Sequence, residues 1–495
     1  MNENNPVLQE QISSNNPNPL ESSTQAYRSE RTDHWDAVAR QTDIRRGWGG
    51  GYHNLLKQIY RFLVSPGQRV LEIGCGMGDL LAALRPSLGV GIDLSGEMIR
   101  RAHKLHPEIN LIQADGHSLC LHQQFDVIIL SDLLNDVWDV QCILDQLQPL
   151  VTPHTRIIIN TYSRLWELPL ALAEELELAK PTLFQNWLTV EDVSNLLDLT
   201  NFSVIRHWSE ILWPFQTPLL AAFVNKFLVK LWPFRYLGLT NFIVARLRRQ
   251  VDGIQPLPGV SVIVPARNEA GNIPQILKRI PEMGSGTEII FVEGHSHDHT
   301  YESIERNVAL HSDRKCQLYR QNGVGKGDAV RLGFEKAHGD ILMILDADLT
   351  VPPEDLPRFY EALYSGKGEF INGVRLVYPM EKEAMQFLNF LGNKFFSLAF
   401  SWLLGQSVKD TLCGTKVLWK TDYELIAANR SYFGDFDPFG EFDLLFGAAK
   451  QNLKSVDLPV RYRERTYGTT NIQRWKQGWL LLKMVWFAAR RIKFV

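Results

Sequence analysis

Val70-Leu71-Glu72-Ile73-Gly74-Cys75-Gly76-Met77-Gly78 decides how the first half of this chain folds. Arg69 to Ile73 has the apolar run of a buried strand, the three glycines make a turn, and Asp79 to Leu84 makes the helix that follows. Glycine suits such a turn because a Cβ would keep the backbone from approaching a ligand and because the turn takes dihedrals other residues rarely adopt. Leu88 to Ile92 is a second strand ending at Asp93, about 20 residues after the first glycine, the offset at which a carboxylate meets ribose hydroxyls. Ile112-Gln113-Ala114-Asp115 marks a third strand end and Phe125 to Leu130 a fourth strand. Arg156 to Asn160 and Phe202 to His207 are later strands, and Thr189 opens a helix from Val190 to Leu197. Strands alternating with helices predict an α/β domain whose parallel sheet is covered on both faces.

A second pattern lies far downstream, where Ile341 to Leu345 runs into Asp346-Ala347-Asp348. Two acids one residue apart after a strand can both face a loop-bound Mg²⁺ or Mn²⁺, which neutralises a diphosphate leaving group. Upstream, the strand Val260 to Val264 leads into the turn Pro265-Ala266-Arg267-Asn268-Glu269 and a helix at Ile273 to Arg279. Glu288 to Val292 is the next strand, followed by a loop from Glu293 to Thr300. The chain therefore reads as two enzymes joined, and its 495 residues fit two α/β domains. The expected organisation is a disordered tail at 1–25, a first domain at 26–250 with a basic aromatic insert at about 213–240, a linker at 251–257, a second domain at 258–472 and a basic amphipathic helix at 473–495.

Net charge is −3, with 45% hydrophobic and 22% charged residues, which is ordinary for a soluble globular chain and gives no sign of a nucleic-acid partner. Cys75, Cys120, Cys142, Cys316 and Cys413 form no CxxC pair, which argues against a disulfide framework or structural zinc and for a reducing, cytoplasmic compartment. Met1 to about Thr24 has no apolar periodicity and reads as neither signal peptide nor anchor. No segment offers the roughly 20 uninterrupted apolar residues of a spanning helix.

Two stretches suit a membrane surface instead. From Trp213 to Arg249, aromatic and aliphatic residues are broken by Pro214, Pro218 and Pro233 and studded with Lys and Arg, with no acid between Glu210 and Asp252. Beyond Glu464 the tail carries only cations, interleaved from Trp479 to Phe487 with apolar residues. Each could lie peripherally in the interface on the inner face of a membrane. The alternatives are a buried helical hairpin with a last strand at Asn241 to Leu247, and a packed terminal helix.

Glu72 stands two residues before Gly74, the glycines alternate, and Asp93, Ala114-Asp115 and Phe125-Asp126-Val127 follow in order. This set, from roughly Thr32 to Ile211, resembles the class I S-adenosylmethionine-dependent methyltransferases. The resemblance implies a Rossmann-like sheet with S-adenosylmethionine as cofactor. Glu72, Gly74, Gly76 and Gly78 would line its methionine and ribose side, Asp93 would bind the ribose hydroxyls and Asp115 the adenine amino group. Ser131 and Asp132 would sit near the transferred methyl. The methyl acceptor and any base stay open, since transfer from an activated sulfonium can run largely by in-line positioning.

The downstream segments, from about Pro258 to beyond Gly468, resemble family 2 glycosyltransferases of the glycosyltransferase A fold, closest to the dolichol-phosphate mannosyltransferase and polyprenyl-phosphate branch. The resemblance implies that Pro265, Ala266, Arg267, Glu269, Glu293 and Asp298 cradle a nucleotide sugar and that Asp346 and Asp348 hold metal and diphosphate. Gly325-Lys326-Gly327-Asp328-Ala329 would close over the ligand. Arg375 and Lys416 would receive an acceptor phosphate, and Glu441 and Asp443 compete for a general-base role. Arg465 opens Arg465-Thr466-Tyr467-Gly468-Thr469-Thr470-Asn471, similar to the family's Arg-x-x-Gly-x-Ser-Lys segment with Asn471 in place of Lys. Glu293-Gly294 departs from the two acids often found there.

The resemblances together imply metal-dependent sugar transfer from a UDP- or GDP-sugar to a lipid-linked, polyprenyl-phosphate acceptor, fused to a methyl transfer of unknown target. Two other readings remain: a first domain that binds cofactor only as a regulator, and a non-catalytic membrane-surface scaffold. Intact Asp346, Asp348 and Glu72 argue against the scaffold.

Overall fold

The computed structural model describes residues 19–41, 50–175, 183–215, 217, 219–248, 256–375, 387–430, 442–463, 465, 467 and 474–494. Its first sheet contains β1 (Arg69–Ile73), β2 (Leu88–Asp93), β3 (Asn110–Gln113), β4 (Val127–Ser131), β5 (Arg156–Tyr162), β6 (Phe202–Glu210) and β7 (Thr240–Leu247), in the order β3-β2-β1-β4-β5-β7-β6. The central strands are almost wholly apolar because both faces are covered, and Val70, Leu71, Ile128, Ile129, Ile157 and Ile158 are all buried. β1 pairs in parallel with β2 on one side and β4 on the other, so the strand order reverses at its C-terminal end and a crevice opens beside the glycine turn. β7 runs antiparallel between β5 and β6, which confirms the last strand expected near Asn241.

The second sheet contains β8 (Val260–Ala266), β9 (Thr287–Glu293), β10 (Lys315–Arg320), β11 (Ile341–Ile344), β12 (Phe370–Val374), β13 (Lys416–Trp419) and β14 (Ser455–Pro459), in the order β10-β9-β8-β11-β13-β12-β14. β8 to β11 are parallel, and β13 is antiparallel to both its neighbours. Pro265 and Ala266, expected in a turn, extend β8 against β9. Pairing with β11 has already ended at Ile263, so the missing proline N–H breaks no ladder bond on that side.

Helix α1 (Pro19–Gln41) corrects the expected tail, since residues 19–25 are helical while 1–18 lie outside the described residues. It packs on α4 (Gly96–Leu105), contacts that its charged composition did not disclose. Most of the expected linker, 251–255, also lies outside the described residues. The insert connects β6 to β7 through a short helix, Leu220–Lys226, and two 3-10 turns. The terminal helix Arg474–Ala488 buries Leu481, Met484 and Ala488 in the second domain's core and leaves Trp479, Leu482 and Trp486 exposed. Packed helix and exposed apolar face therefore coexist in it. Among the described residues no helix is long and apolar enough to cross a membrane. All five cysteines are free thiols.

The domains meet through a buried ion cluster. Arg156 on β5 donates from Nη2 to Glu369 Oε1 at 2.9 Å and from Nε to the Asn452 carbonyl at 3.0 Å. Arg246 on β7 donates to the Gly366 carbonyl at 2.6 Å, and its Nε lies 3.6 Å from Glu369 Oε2. Arg156, Arg246 and Glu369 are all buried, so each charge depends on its partner for compensation.

Two candidate active sites

Gly74, Gly76 and Gly78 all take left-handed dihedrals, with φ of 76°, 52° and 74°. A side chain would strike Leu133 at Gly74 and Ile109 at Gly78, whereas nothing lies within 4 Å of a Cβ at Gly76. The middle glycine therefore faces open space, as a ligand-facing residue must. Asp93 ties this turn to the next strand: Gly76 N donates to Oδ2 at 2.8 Å and Ser95 N to Oδ1 at 2.9 Å. Burial holds the Asp93 carboxyl above the usual range. Glu72, only 2% exposed, has an Oε2 without a hydrogen-bond partner, and burial pushes its carboxyl up to about 8. A buried orphan acceptor beside an open glycine turn fits a ligand bringing hydroxyl or ammonium donors, and S-adenosylmethionine brings both.

Asp115 has protein partners already. His117 N and Nδ1 lie 2.9 and 2.6 Å from Oδ1, and Arg28 Nε of α1 lies 2.6 Å from Oδ2 without hydrogen-bond alignment. Net of burial, these partners hold the Asp115 carboxyl below the usual range. Further along α1, Arg31 and Trp35 reach Asp136 at 2.8 and 2.5 Å, and Asp36 accepts from Ser95 Oγ and Glu97 N. The helix thus lies across the ends of the strands that carry Asp93, Asp115 and Ser131.

Ser131 ends β4, and Asp132 follows it with φ 53°. Tyr52 OH lies 3.0 Å from both Asp132 oxygens, and Asn160 Nδ2 donates to Oδ1 at 2.6 Å. Tyr60 OH donates to Asn160 Oδ1 at 2.6 Å. Burial pushes Asp132 up to about 7 despite these donors. Tyr52 and Tyr60, on helix α2 (Gly50–Leu63), and Asn160, on β5, carry no local motif. The sequence reading missed them for that reason.

In the second domain, the loops after β8, β9 and β11 converge. Lys326 Nζ lies 2.6 Å from Asp346 Oδ1, and a side chain at Gly414 would overlap both groups. Arg465 donates from Nη2 to Asp348 Oδ2 and from Nη1 to Glu269 Oε1, each at 2.8 Å. Glu269 also accepts from Asn272 Nδ2 at 2.7 Å, and burial pushes its carboxyl up to about 7 against the pull of Arg465. Glu293 accepts from Ser296 N at 2.6 Å and lies 3.4 Å from Arg320 Nε. Asp298 accepts from Ala270 N at 3.3 Å, joining the β9 loop to the turn beyond Pro265 and Ala266, in which Arg267 is exposed. Two hard carboxylates at a strand end suit Mg²⁺ or Mn²⁺ when further oxygens come from diphosphate or water. Among the described residues no group of three or more His, Cys, Asp or Glu stands ready to hold a metal by itself.

The expected acceptor-side residues have partners within the domain. Arg375 forks onto Asp410, with Nε–Oδ2 at 2.7 Å and Nη2–Oδ1 at 2.9 Å. Lys416 is fully buried and donates to the Cys413 carbonyl. Both cations are committed to partners inside the domain. Asp443 is buried and bound by Arg430 Nε at 2.7 Å, with Arg331 Nε at 3.7 Å. Glu441 lies outside the described residues.

Comparison with known proteins agrees with the two halves. Residues 64–212 match the model of a methyltransferase domain and residues 261–414 that of glycosyl transferase family 2. Similar curated proteins include an undecaprenyl-phosphate 4-deoxy-4-formamido-L-arabinose transferase of Aeromonas hydrophila, 34% identical over 22% of this chain and 34% of that protein. The dolichol-phosphate mannosyltransferase of Saccharomyces cerevisiae is 38% identical over 21% of this chain and 40% of its own length. Glycosyltransferase AglJ of Haloferax volcanii is 27% identical over 46% of this chain and 71% of its own. The chain spans about a third of the length of the first of these relatives. Sheet order, the glycine turn, the paired carboxylates and these likenesses lead to one conclusion: the chain joins a methyltransferase domain to a domain of glycosyl transferase family 2.

Proposed function

We propose that the second domain transfers a sugar from a UDP- or GDP-sugar to a polyprenyl-phosphate acceptor at the cytoplasmic face of a membrane, with inversion, and that the first domain transfers methyl from S-adenosylmethionine. The observation that carries the sugar transfer is the cluster in which Lys326 and Arg465 sit on Asp346 and Asp348. A bound Mg²⁺ or Mn²⁺ would supply charge that stabilises the diphosphate leaving group. Lys326 and Arg465 stand beside the same carboxylates and add positive charge there, while Glu269 anchors Arg465 from the opposite loop. An acceptor phosphate oxygen attacks the anomeric carbon and the nucleoside diphosphate departs. The acceptor is already anionic, so no base has to remove a proton. In the first domain, Glu72 and Asp93 would hold the cofactor, and Asp132, fixed by Tyr52 and Asn160, would position the methyl acceptor.

The test incubates the protein with undecaprenyl phosphate in detergent, a panel of nucleotide sugars and Mn²⁺, and measures nucleoside diphosphate release together with lipid-linked sugar. Acceptor-dependent release with one donor is the expected result. Release that is indifferent to the lipid would remove the acceptor from this reading. A regulatory role for the first domain has the buried Arg156, Arg246 and Glu369 cluster in its favour, since that cluster fastens it to the transferase. S-adenosylmethionine that changes sugar transfer without being consumed would establish that role.

A further inference from the structure

The insert between β6 and β7 presents an unusual surface. Every residue from 231 to 237 is exposed, all but Arg235 are apolar or aromatic, and Trp232 is 75% exposed. Leu219 and Phe223 on the preceding segment are exposed as well. On the second domain, Leu398, Trp479 and Trp486 are exposed in the same manner. Large apolar side chains exposed in such numbers mark a binding surface, because leaving them in water is unfavourable.

These two surfaces are joined. Phe227 of the insert lies 5.4 Å from Phe494, and Phe494 lies 5.7 Å from Trp402, measured between ring centroids. Trp402 Nε1 donates to the Lys230 carbonyl at 3.2 Å, and the Lys493 ammonium lies 5.4 Å from the Trp402 ring. The end of the chain therefore interlocks with a segment of the first domain.

The seam is rich in cations and poor in counter-charge. Arg206, Lys230, Arg235 and Lys493 gather around one acid, Glu210, which is already paired with Lys230. Burial, reinforced by Lys230, pulls the Lys493 ammonium down to about 8. The Arg206 guanidinium lies 4.5 Å from the Trp208 ring, and its buried Nε has no hydrogen-bond partner. Four cations around one acid are costly to keep, and an oxyanion would relieve them. Aromatic side chains around a seam with more cations than acids complement an anionic lipid surface in both chemistry and charge.

We infer that the two domains build one docking face for an anionic phospholipid bilayer, in which the insert and the terminal helix enter the interface while Arg235 and Lys493 receive headgroup phosphate. The inference rests on the membrane-linked acceptor proposed above and adds that the methyltransferase domain supplies half of the anchor.

Flotation of the full chain with vesicles of phosphatidylcholine, with and without phosphatidylglycerol, tests it. Binding is expected to need phosphatidylglycerol and to fall on the order of tenfold for Trp232→Asp, for Trp486→Asp and for Lys493→Glu. Melting temperature and S-adenosylmethionine affinity should stay unchanged for the two tryptophan variants, whose side chains are exposed. Wild-type binding by Trp232→Asp would overturn the composite face, and equal binding to both vesicles would overturn the headgroup role of the seam. The same proteins are assayed on detergent-dispersed undecaprenyl phosphate. Failure of wild-type transfer there removes the proposed acceptor while vesicle binding still judges the docking face. Normal transfer with insert-independent vesicle binding removes the docking face alone.

Discussion

Arg465 holds Asp348 at 2.8 Å with one nitrogen of its guanidinium while the other holds Glu269 at the same distance. One cation thereby links the loop after β11 to the turn after β8. The second carboxylate of the Asp-x-Asp pair is thus positioned by a residue 117 positions away in sequence.

Asp348→Asn should separate chemistry from folding. Thr350 N and Oγ1 bond to Asp348 Oδ1 at 3.1 and 2.8 Å, and an asparagine oxygen can accept both. The amide nitrogen then faces the Arg465 donor, so that ion pair is lost and the melting temperature should fall modestly, while sugar transfer should fall by roughly two to three orders of magnitude, as for loss of one electrostatic stabiliser. Near-normal turnover in metal-limited buffer would remove Asp348 from the metal site.

Asp93→Ala should weaken S-adenosylmethionine binding by about 1.5–3 kcal/mol, the scale of a charged hydrogen bond. Both carboxylate oxygens also brace the glycine turn, so part of the loss comes from the turn itself. Titration calorimetry reads the affinity, and unchanged binding would exclude Asp93 from the site. Sugar transfer to detergent-dispersed acceptor should survive.

Glu72 predicts a pH dependence of stability. Its folded carboxyl is raised to about 8 from an ordinary 4.5, so the folded state binds the proton more tightly than the unfolded chain. The stabilisation is complete below 4.5 and is lost as pH rises through about 8. Denaturant titrations across that window should show stability falling with pH in the wild type and a flatter profile in Glu72→Gln. Parallel profiles would mean that Glu72 ionises freely in the fold.

Glu369→Ala removes the counter-charge of Arg156 and Arg246 at the domain seam. Stranding buried cations in this way costs about 3–5 kcal/mol. Scanning calorimetry should show a lower and broader transition that separates into two as the domains uncouple. A single transition at the wild-type temperature would mean that the seam contributes no net stability.

Features that depend on a few neighbouring residues were legible in the chain itself. The strand and turn from Arg69 to Gly78, the Thr189 cap, the strand from Val260 and the Asp346–Asp348 pair each follow from local apolar pattern, dihedral demand or side-chain reach. They were enough to specify two α/β domains. Tertiary structure alone decided which charges meet. Arg28 lies against Asp115, Arg156 pairs with Glu369 across 213 positions, and Lys450 donates to the Phe62 carbonyl across 388. A charged side chain in sequence looks the same whether it faces water or a partner, because the Coulomb term that separates the two depends on distance and burial in space. Arg375 illustrates the point: its position in the motif was visible, but its commitment to Asp410, 35 positions away, exists only once the chain has folded.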